Sequence, residues 1–259
     1  MKNFNLLYFI IFILALVTGY LISIQFTYQG LDLHSSSSLQ ILTAHAQNPI
    51  KTMDNGQRSI LLVGTSAIQA RDVQLESVWM LTYLPSDTIF RLLPIFPAGK
   101  RTISDFENQL DQSFQLVKSK GTFTLGQEFI AALEGNNYWW SGYIVFDNLA
   151  LEKMIDFVGG IEFKGKILLG EQVLQQLPEA VNDPFGAYYS QMSVLRSTCR
   201  KVSQDTQDRG LTQLGSLLPD HVLTDLDFNQ LQREWQSLYT DMQKPVCSFP
   251  MLDTSLNIP

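Results

Sequence analysis

The sequence predicts a layered α/β domain behind an apolar N-terminal segment. Tyr143 to Phe146 is an unbroken β-branched and aromatic run with the composition of a strand buried on both faces. Asp147 or Asn148 follows as an N-cap, Leu151, Met154, Ile155 and Val158 fall at helical spacing, and Gly159-Gly160 stops the helix where positive φ is needed. Ile161 then opens another strand. The stretch reads as a βαβ-type unit whose apolar helix face must pack on a neighbouring layer.

Composition bounds what such a domain does. A chain of 259 residues, 45% hydrophobic, is long enough to bury one sizeable core, and one folded domain is expected. The net charge of −7 and the absence of any Lys/Arg block exclude non-specific nucleic-acid binding, which needs a basic footprint. His34, His45 and His221 stand far apart without metal-ligand spacing, so each reads as a solvated or locally hydrogen-bonded histidine and no metal site is predicted.

From the N-terminus, Phe4 to Phe26 is almost wholly apolar and uncharged, enough to cross a hydrocarbon core of ~30 Å. Lys2 precedes it and the first ionised residue after it is Asp32, which keeps the N-terminus cytoplasmic and the rest outside. The competing reading is a cleaved signal peptide ending at Ala44-His45-Ala46, a site that lies far beyond the apolar run. Residues 1–28 are thus read as a membrane anchor, 29–57 as a Ser-rich extracytoplasmic stalk, 58–243 as the domain and 244–259 as a C-terminal strap or tail.

Within the domain, Ser59 to Val63 and Val78 to Leu84 read as strands, and Pro85 to Thr88 turns the chain into a third strand, Ile89 to Phe96. Ser104 with Glu107 forms a capping box for a helix whose apolar face is Phe106, Leu110, Phe114 and Val117. Thr124 with Gln127 caps a second, carrying Phe129, Ile130 and Leu133. Gly170 to Gln176 reads as a short helix stopped by Pro178, Ala187 to Gln204 as a longer one, and Asp227 with Gln230 caps a last one. Cys199 and Cys247 lie on the side predicted to be oxidising. A disulfide there would be worth about 4 kcal/mol on the chain-entropy model, and bridged and unbridged cysteines both stay open, because pairing depends on Cα separation.

The order of these pieces resembles the LytR-CpsA-Psr (LCP) family. An N-terminal anchor, a strand ending in Gly64-Thr65-Ser66, a hairpin ending in Ile95-Phe96-Pro97, the Tyr143 to Asp147 strand, Val158-Gly159-Gly160-Ile161, Leu169-Gly170-Glu171-Gln172 and Leu223-Thr224-Asp225-Leu226 carry the resemblance, from about Arg58 to Leu238. It implies a three-layer αβα fold in which helices flank a mixed central β-sheet. It also implies a family activity, the Mg²⁺-dependent transfer of a glycopolymer from a polyprenyl-pyrophosphate carrier to the cell wall. That chemistry needs guanidinium groups and a metal to offset charge on the transferred group, and carboxylates to hold the metal.

Here the family's Arg/Asp cluster is eroded. Gly-Ser-Asp-Ser-Arg becomes Gly64-Thr65-Ser66-Ala67-Ile68, Arg-Ser-Asp becomes Leu75-Glu76-Ser77, and Ile-Pro-Arg-Asp becomes Phe96-Pro97-Ala98-Gly99. The Arg-rich stretch becomes Leu177-Pro178-Glu179-Ala180-Val181, and Asp-x-Gly-Arg becomes Phe185-Gly186-Ala187. Arg71, Glu76, Ser77, Lys100 and Arg101 remain as candidates for phosphate or ligand binding, with Asp72, Arg196 and Arg200 further off. For each of them a solvated loop or helix-face position is the favoured reading over a ligand role. Glu76 alone is a poor Mg²⁺ site, so Mg²⁺ is expected only if a transferase site is retained. Gly64-Thr65-Ser66 lacks the glycine pattern of a nucleophile elbow, and no phosphate-binding glycine loop is present. Tyr138, Trp139 and Trp140 have the chemistry to stack on sugar faces, although aromatics at the head of a buried strand are more often core.

The expectation is therefore an anchored domain at the outer membrane face, in cell-envelope assembly. It would bind a polyprenyl-(pyro)phosphate-linked glycan with weakened or absent catalysis. An active phosphotransferase using Arg71, Glu76, Lys100 and Arg101, and an anchored scaffold that binds no lipid, are the alternatives.

Overall fold

The computed structural model describes residues 56–84, 89–119, 122–205, 220–227 and 246–249. Strands β1 (Arg58–Thr65), β2 (Leu75–Tyr83) and β3 (Ile89–Phe96) form an antiparallel meander, and β6 (Gly142–Asp147) lies parallel to β1. The edges are β9 (Val222–Thr224), antiparallel to β6, and β10 (Val246–Ser248), parallel to β3, giving the mixed six-stranded order β10-β3-β2-β1-β6-β9.

Period-two alternation decides what covers each face. Leu61, Val63 and Val145 are fully buried and cluster with Leu110 of α1 (Asp105–Ser113) and Phe129 and Leu133 of α2 (Gln127–Gly135). Each such side chain contributes about 1.5–3 kcal/mol on burial. Trp79 pairs with Leu62 and so points to the other face. There its indole N–H donates to Gln191 Oε1 at 3.1 Å and its ring stacks on Tyr188, both from α5 (Pro184–Asp205). Helices therefore flank a mixed central sheet, as the sequence predicts. Beside α5, a smaller core joins Ile155 of α3 (Asn148–Phe157), Ile161 of β7 (Ile161–Phe163), Val173 of α4 (Gly170–Leu174) and Val194.

Several local expectations are met. Ser104 accepts from the Glu107 N–H while Glu107 Oε2 accepts from the Ser104 N–H at 2.9 Å, a complete capping box. Asp147 caps α3 by accepting from the Ala150 N–H at 3.0 Å, and Gly159 and Gly160 adopt φ of +77° and +84°. Cys199 and Cys247 are bridged, with Cα atoms 6.3 Å apart, tying α5 to β10.

Three readings are corrected. β7 pairs with β8 (Lys166–Leu168) in a two-stranded sheet of its own, so β6, α3 and β7 are not a parallel crossover; the parallel partner of β6 is β1. The first helix ends at Ser113, and Val117 belongs to the hairpin of β4 (Leu116–Ser119) and β5 (Thr122–Leu125). Thr124 does not cap α2: its hydroxyl donates across that hairpin to the Val117 carbonyl at 3.4 Å, and Gly126 is the N-cap. The apolar run 4–26 and the helix expected after Asp227 lie outside the described residues, among which no helix is long and apolar enough to cross a membrane.

Candidate functional site

The C-terminal ends of β1 and β6 open beside the start of β2, because Gly64 pairs with both Ser77 and Phe146. A cavity of about 200 Å³ lies there. Gly64 lines it, and a Cβ there would run into Ser77 Oγ unless that side chain turned away. Leu151, Leu174 and Leu177 give it an apolar wall, and Glu76, Glu179, Asn148 and Gln191 supply the polar groups. Gln191 donates from Nε2 to the Glu76 carbonyl at 2.9 Å, so the side chain that binds Trp79 also fixes the backbone of Glu76. A wider depression of about 680 Å³ between α1 and α2 is open and lined mostly by polar residues of the two helices, without a comparable apolar wall.

The cavity is acidic. Burial, and then the charge of Glu179, push the Glu76 carboxyl above its ordinary range. Glu179 in turn accepts a hydrogen bond from Asn182 Nδ2. Among the described residues, no Arg or Lys lines it. Among the described residues no group of three or more His, Cys, Asp or Glu side chains converges as metal ligands. The described donor set, two carboxylates with amides and hydroxyls, does not by itself fit a metal-assisted phosphoryl-transfer centre, which needs positive charge around the transferred group.

Two of the predicted site residues, Glu76 and Ser77, meet in this cavity. Arg71 is exposed on the loop after β1, and Lys100 and Arg101 are exposed on the loop between β3 and α1; none of the three lines the cavity. Arg200 Nη1 lies 3.3 Å from Glu162 Oε2, and the Arg196 guanidinium sits over the Phe249 ring. The Ala98-Gly99 step, where the resemblance leads one to look for Arg-Asp, is closely packed. Ala98 donates its N–H to the buried Glu107 carboxylate at 2.7 Å, and a Cβ at Gly99, whose φ is +82°, would lie 2.9 Å from the Tyr188 ring.

Glu179 and Gln191 are the residues that sequence reasoning missed. Glu179 stands in the segment that matches the family's Arg-rich stretch, a charge reversal readable only once that loop is known to face Glu76. Gln191 lies 115 positions from Glu76 and carries no local signal.

A six-stranded mixed sheet between helix layers, with a cavity at the ends of its parallel pair, defines a structural class. Solved structures similar in fold include TagV of B. subtilis, at 18% identity over 76% of this chain and 85% of that one, TM-score 0.52. TagT bound to LI-WTA is similar at 15% identity over 80% and 83%, TM-score 0.50, and gbs0355 of Streptococcus agalactiae at 14% over 75% and 77%, TM-score 0.52. These neighbours are LCP-family proteins, so the resemblance read from the motifs holds at the level of the fold. No protein-family model and no curated protein matches the sequence.

Proposed function

We propose that this chain is a membrane-anchored, extracytoplasmic LCP-like domain of cell-envelope assembly that binds a glycopolymer or its polyprenyl-(pyro)phosphate-linked precursor without catalysing its transfer. One observation carries the reading: Glu76 and Glu179 line the cavity, in segments where the motif resemblance leads one to expect the family's arginines. Two carboxylates there oppose the charge that phosphoryl transfer builds on the migrating and leaving groups, so the chemical step loses its main source of stabilisation. The apolar wall of Leu151, Leu174 and Leu177 suits a lipid-linked ligand, and Asn148 and Gln191 suit hydroxyl groups.

Likeness of fold to TagT bound to LI-WTA supports a glycopolymer as the ligand class. The Cys199–Cys247 bridge suits an oxidising compartment, and the uncharged run 4–26 suits an anchor that puts the domain there.

The test is turnover. Full-length protein in detergent is incubated with a polyprenyl-pyrophosphate-linked glycan and Mg²⁺, alongside the Arg101→Ala variant, and release of the glycan from its carrier is followed. No protein-dependent release is expected from either. Release by the wild type that falls by orders of magnitude in Arg101→Ala would overturn the proposal in favour of a rearranged transferase.

A further inference from the structure

A second cavity, of about 350 Å³, lies at the opposite end of β6 from Glu76. Tyr138, Trp139 and Trp140 lead into the strand and Tyr143 is its second residue. Glu134 comes from the last turn of α2 and Asp225 from the turn after β9, and all six line the cavity. Asp225 reaches this point because β9 runs antiparallel to β6, which puts the end of one beside the start of the other. The Tyr143 N–H donates to Asp225 Oδ1 at 2.7 Å and Thr224 Oγ1 donates to the Tyr143 carbonyl at 2.7 Å, so the carboxylate is held against the strand. It keeps further acceptor positions, since a carboxylate offers about four.

The electrostatics of this cavity are one-sided. Burial pushes the Asp225 carboxyl above its ordinary range, and burial followed by the Asp225 charge pushes the Tyr143 hydroxyl up to about 12. Among the described residues, no Lys, Arg or His lines the cavity to balance Glu134 and Asp225. An anionic ligand would meet like charge, and an apolar one would desolvate the half-buried Asp225 carboxylate without compensation, Glu134 being exposed at the rim. A neutral sugar would find acceptors and ring faces and leave the charge unbalanced. An organic cation answers both features, drawn by the aromatic side chains that line the cavity, of which Tyr138 also stacks on Phe106, and by the carboxylates. The volume lies within the range of about 300–1,000 Å³ usual for small-molecule sites.

We propose that the cavity between α2, the head of β6 and the turn after β9 binds an ammonium group of the choline type, held among Tyr138, Trp139, Trp140 and Tyr143 and neutralised by Glu134 and Asp225. The inference is independent of the function proposed above, because it uses none of the residues at the other end of β6.

The test uses the full chain in a polyoxyethylene detergent, which carries neither choline nor sugar. Choline chloride and its uncharged isostere 3,3-dimethylbutan-1-ol are titrated in parallel, following tryptophan emission and heat of binding. Saturable choline binding is expected, with the isostere weaker by roughly tenfold or more, and with roughly tenfold losses for Trp140→Ala and Asp225→Asn. Asp225→Asn keeps a side-chain oxygen for the Tyr143 N–H, so it tests charge in a folded protein even if the tryptophan variant fails to fold. Equal binding of the two probes, no binding of choline, or binding of cellobiose in its place would each overturn the proposal. Repeating the titration in phosphatidylglycerol and phosphatidylcholine vesicles distinguishes the sources. Loss of the choline signal only in phosphatidylcholine assigns the site to a lipid headgroup, and retention in both assigns it to a free or polymer-borne ammonium.

Discussion

Asp147 Oδ2 lies 2.8 Å from His221 Nδ1, joining residues 74 positions apart at the meeting point of β6, α3 and the approach to β9. A carboxylate only accepts, so the ring donates from Nδ1. The same carboxylate accepts from the Ala150 N–H at 3.0 Å and from the fully buried Ile68 N–H at 3.4 Å. Asp147→Ala removes a helix cap and strands two partners at once, and should cost on the order of 3 kcal/mol in urea denaturation of the purified protein. His221→Ala, which leaves the cap in place, should cost about 1 kcal/mol. Equal losses from the two variants would show that the cap and the Ile68 contact contribute little.

Glu76 and Glu179 supply a pH signature. Because the Glu76 pKa is raised in the folded protein, by burial first and then by Glu179, the folded state holds its proton more tightly than the unfolded chain does. The ionised side chain therefore destabilises the fold, fully so above its folded pKa, and the penalty disappears as pH falls below the ordinary value of 4.5. Glu76→Gln should raise the thermal midpoint at pH 7 and leave it nearly unchanged at pH 4. A variant that is destabilised at both would contradict the assignment.

Gly64 and Ser77 form a steric pair. A methyl group at position 64 meets Ser77 Oγ, which is buried between β1 and β2, so Gly64→Ala should cost about 1–3 kcal/mol. Adding Ser77→Ala removes the obstructing atom and should recover most of that loss. A double-mutant cycle by chemical denaturation reads the coupling, and strictly additive effects would rule out the contact.

The Cys199–Cys247 bridge closes a loop of sequence separation 48 and holds β10 at the sheet edge beside β3. Replacing both cysteines by serine should lower stability by about 4 kcal/mol if chain entropy dominates. Comparison of the variant with the oxidised wild type in urea checks the figure.

Much of the fold was legible because its signals are local. Ser104 with Glu107 forms a capping box in full, Asp147 caps α3, and the two glycines after Val158 adopt the positive φ they were expected to supply. Where the reading failed, a local pattern coincided with another structure. Phe114 and Val117 continue the helical spacing of Phe106 and Leu110, yet the chain turns into a hairpin there, and short apolar runs serve either state. Thr124 and Gln127 have capping-box spacing, but the Thr124 hydroxyl is engaged across that hairpin. Glu76 and Ser77 were identifiable as site candidates because they stand where a family motif had been replaced. Glu179, Gln191 and the Asp147–His221 contact depend on long-range folding and leave no trace in spacing.

On the proposed function, the cavity at Glu76 and Glu179 belongs to a domain that holds its ligand without transferring it. Native mass spectrometry of the detergent-extracted full chain, with a polyprenyl-pyrophosphate-linked glycan and with or without Mg²⁺, reads bound mass and ligand cleavage together. Adducts of intact ligand that persist unchanged in Mg²⁺ are the expected result. Appearance of cleaved carrier in step with added Mg²⁺ would contradict it.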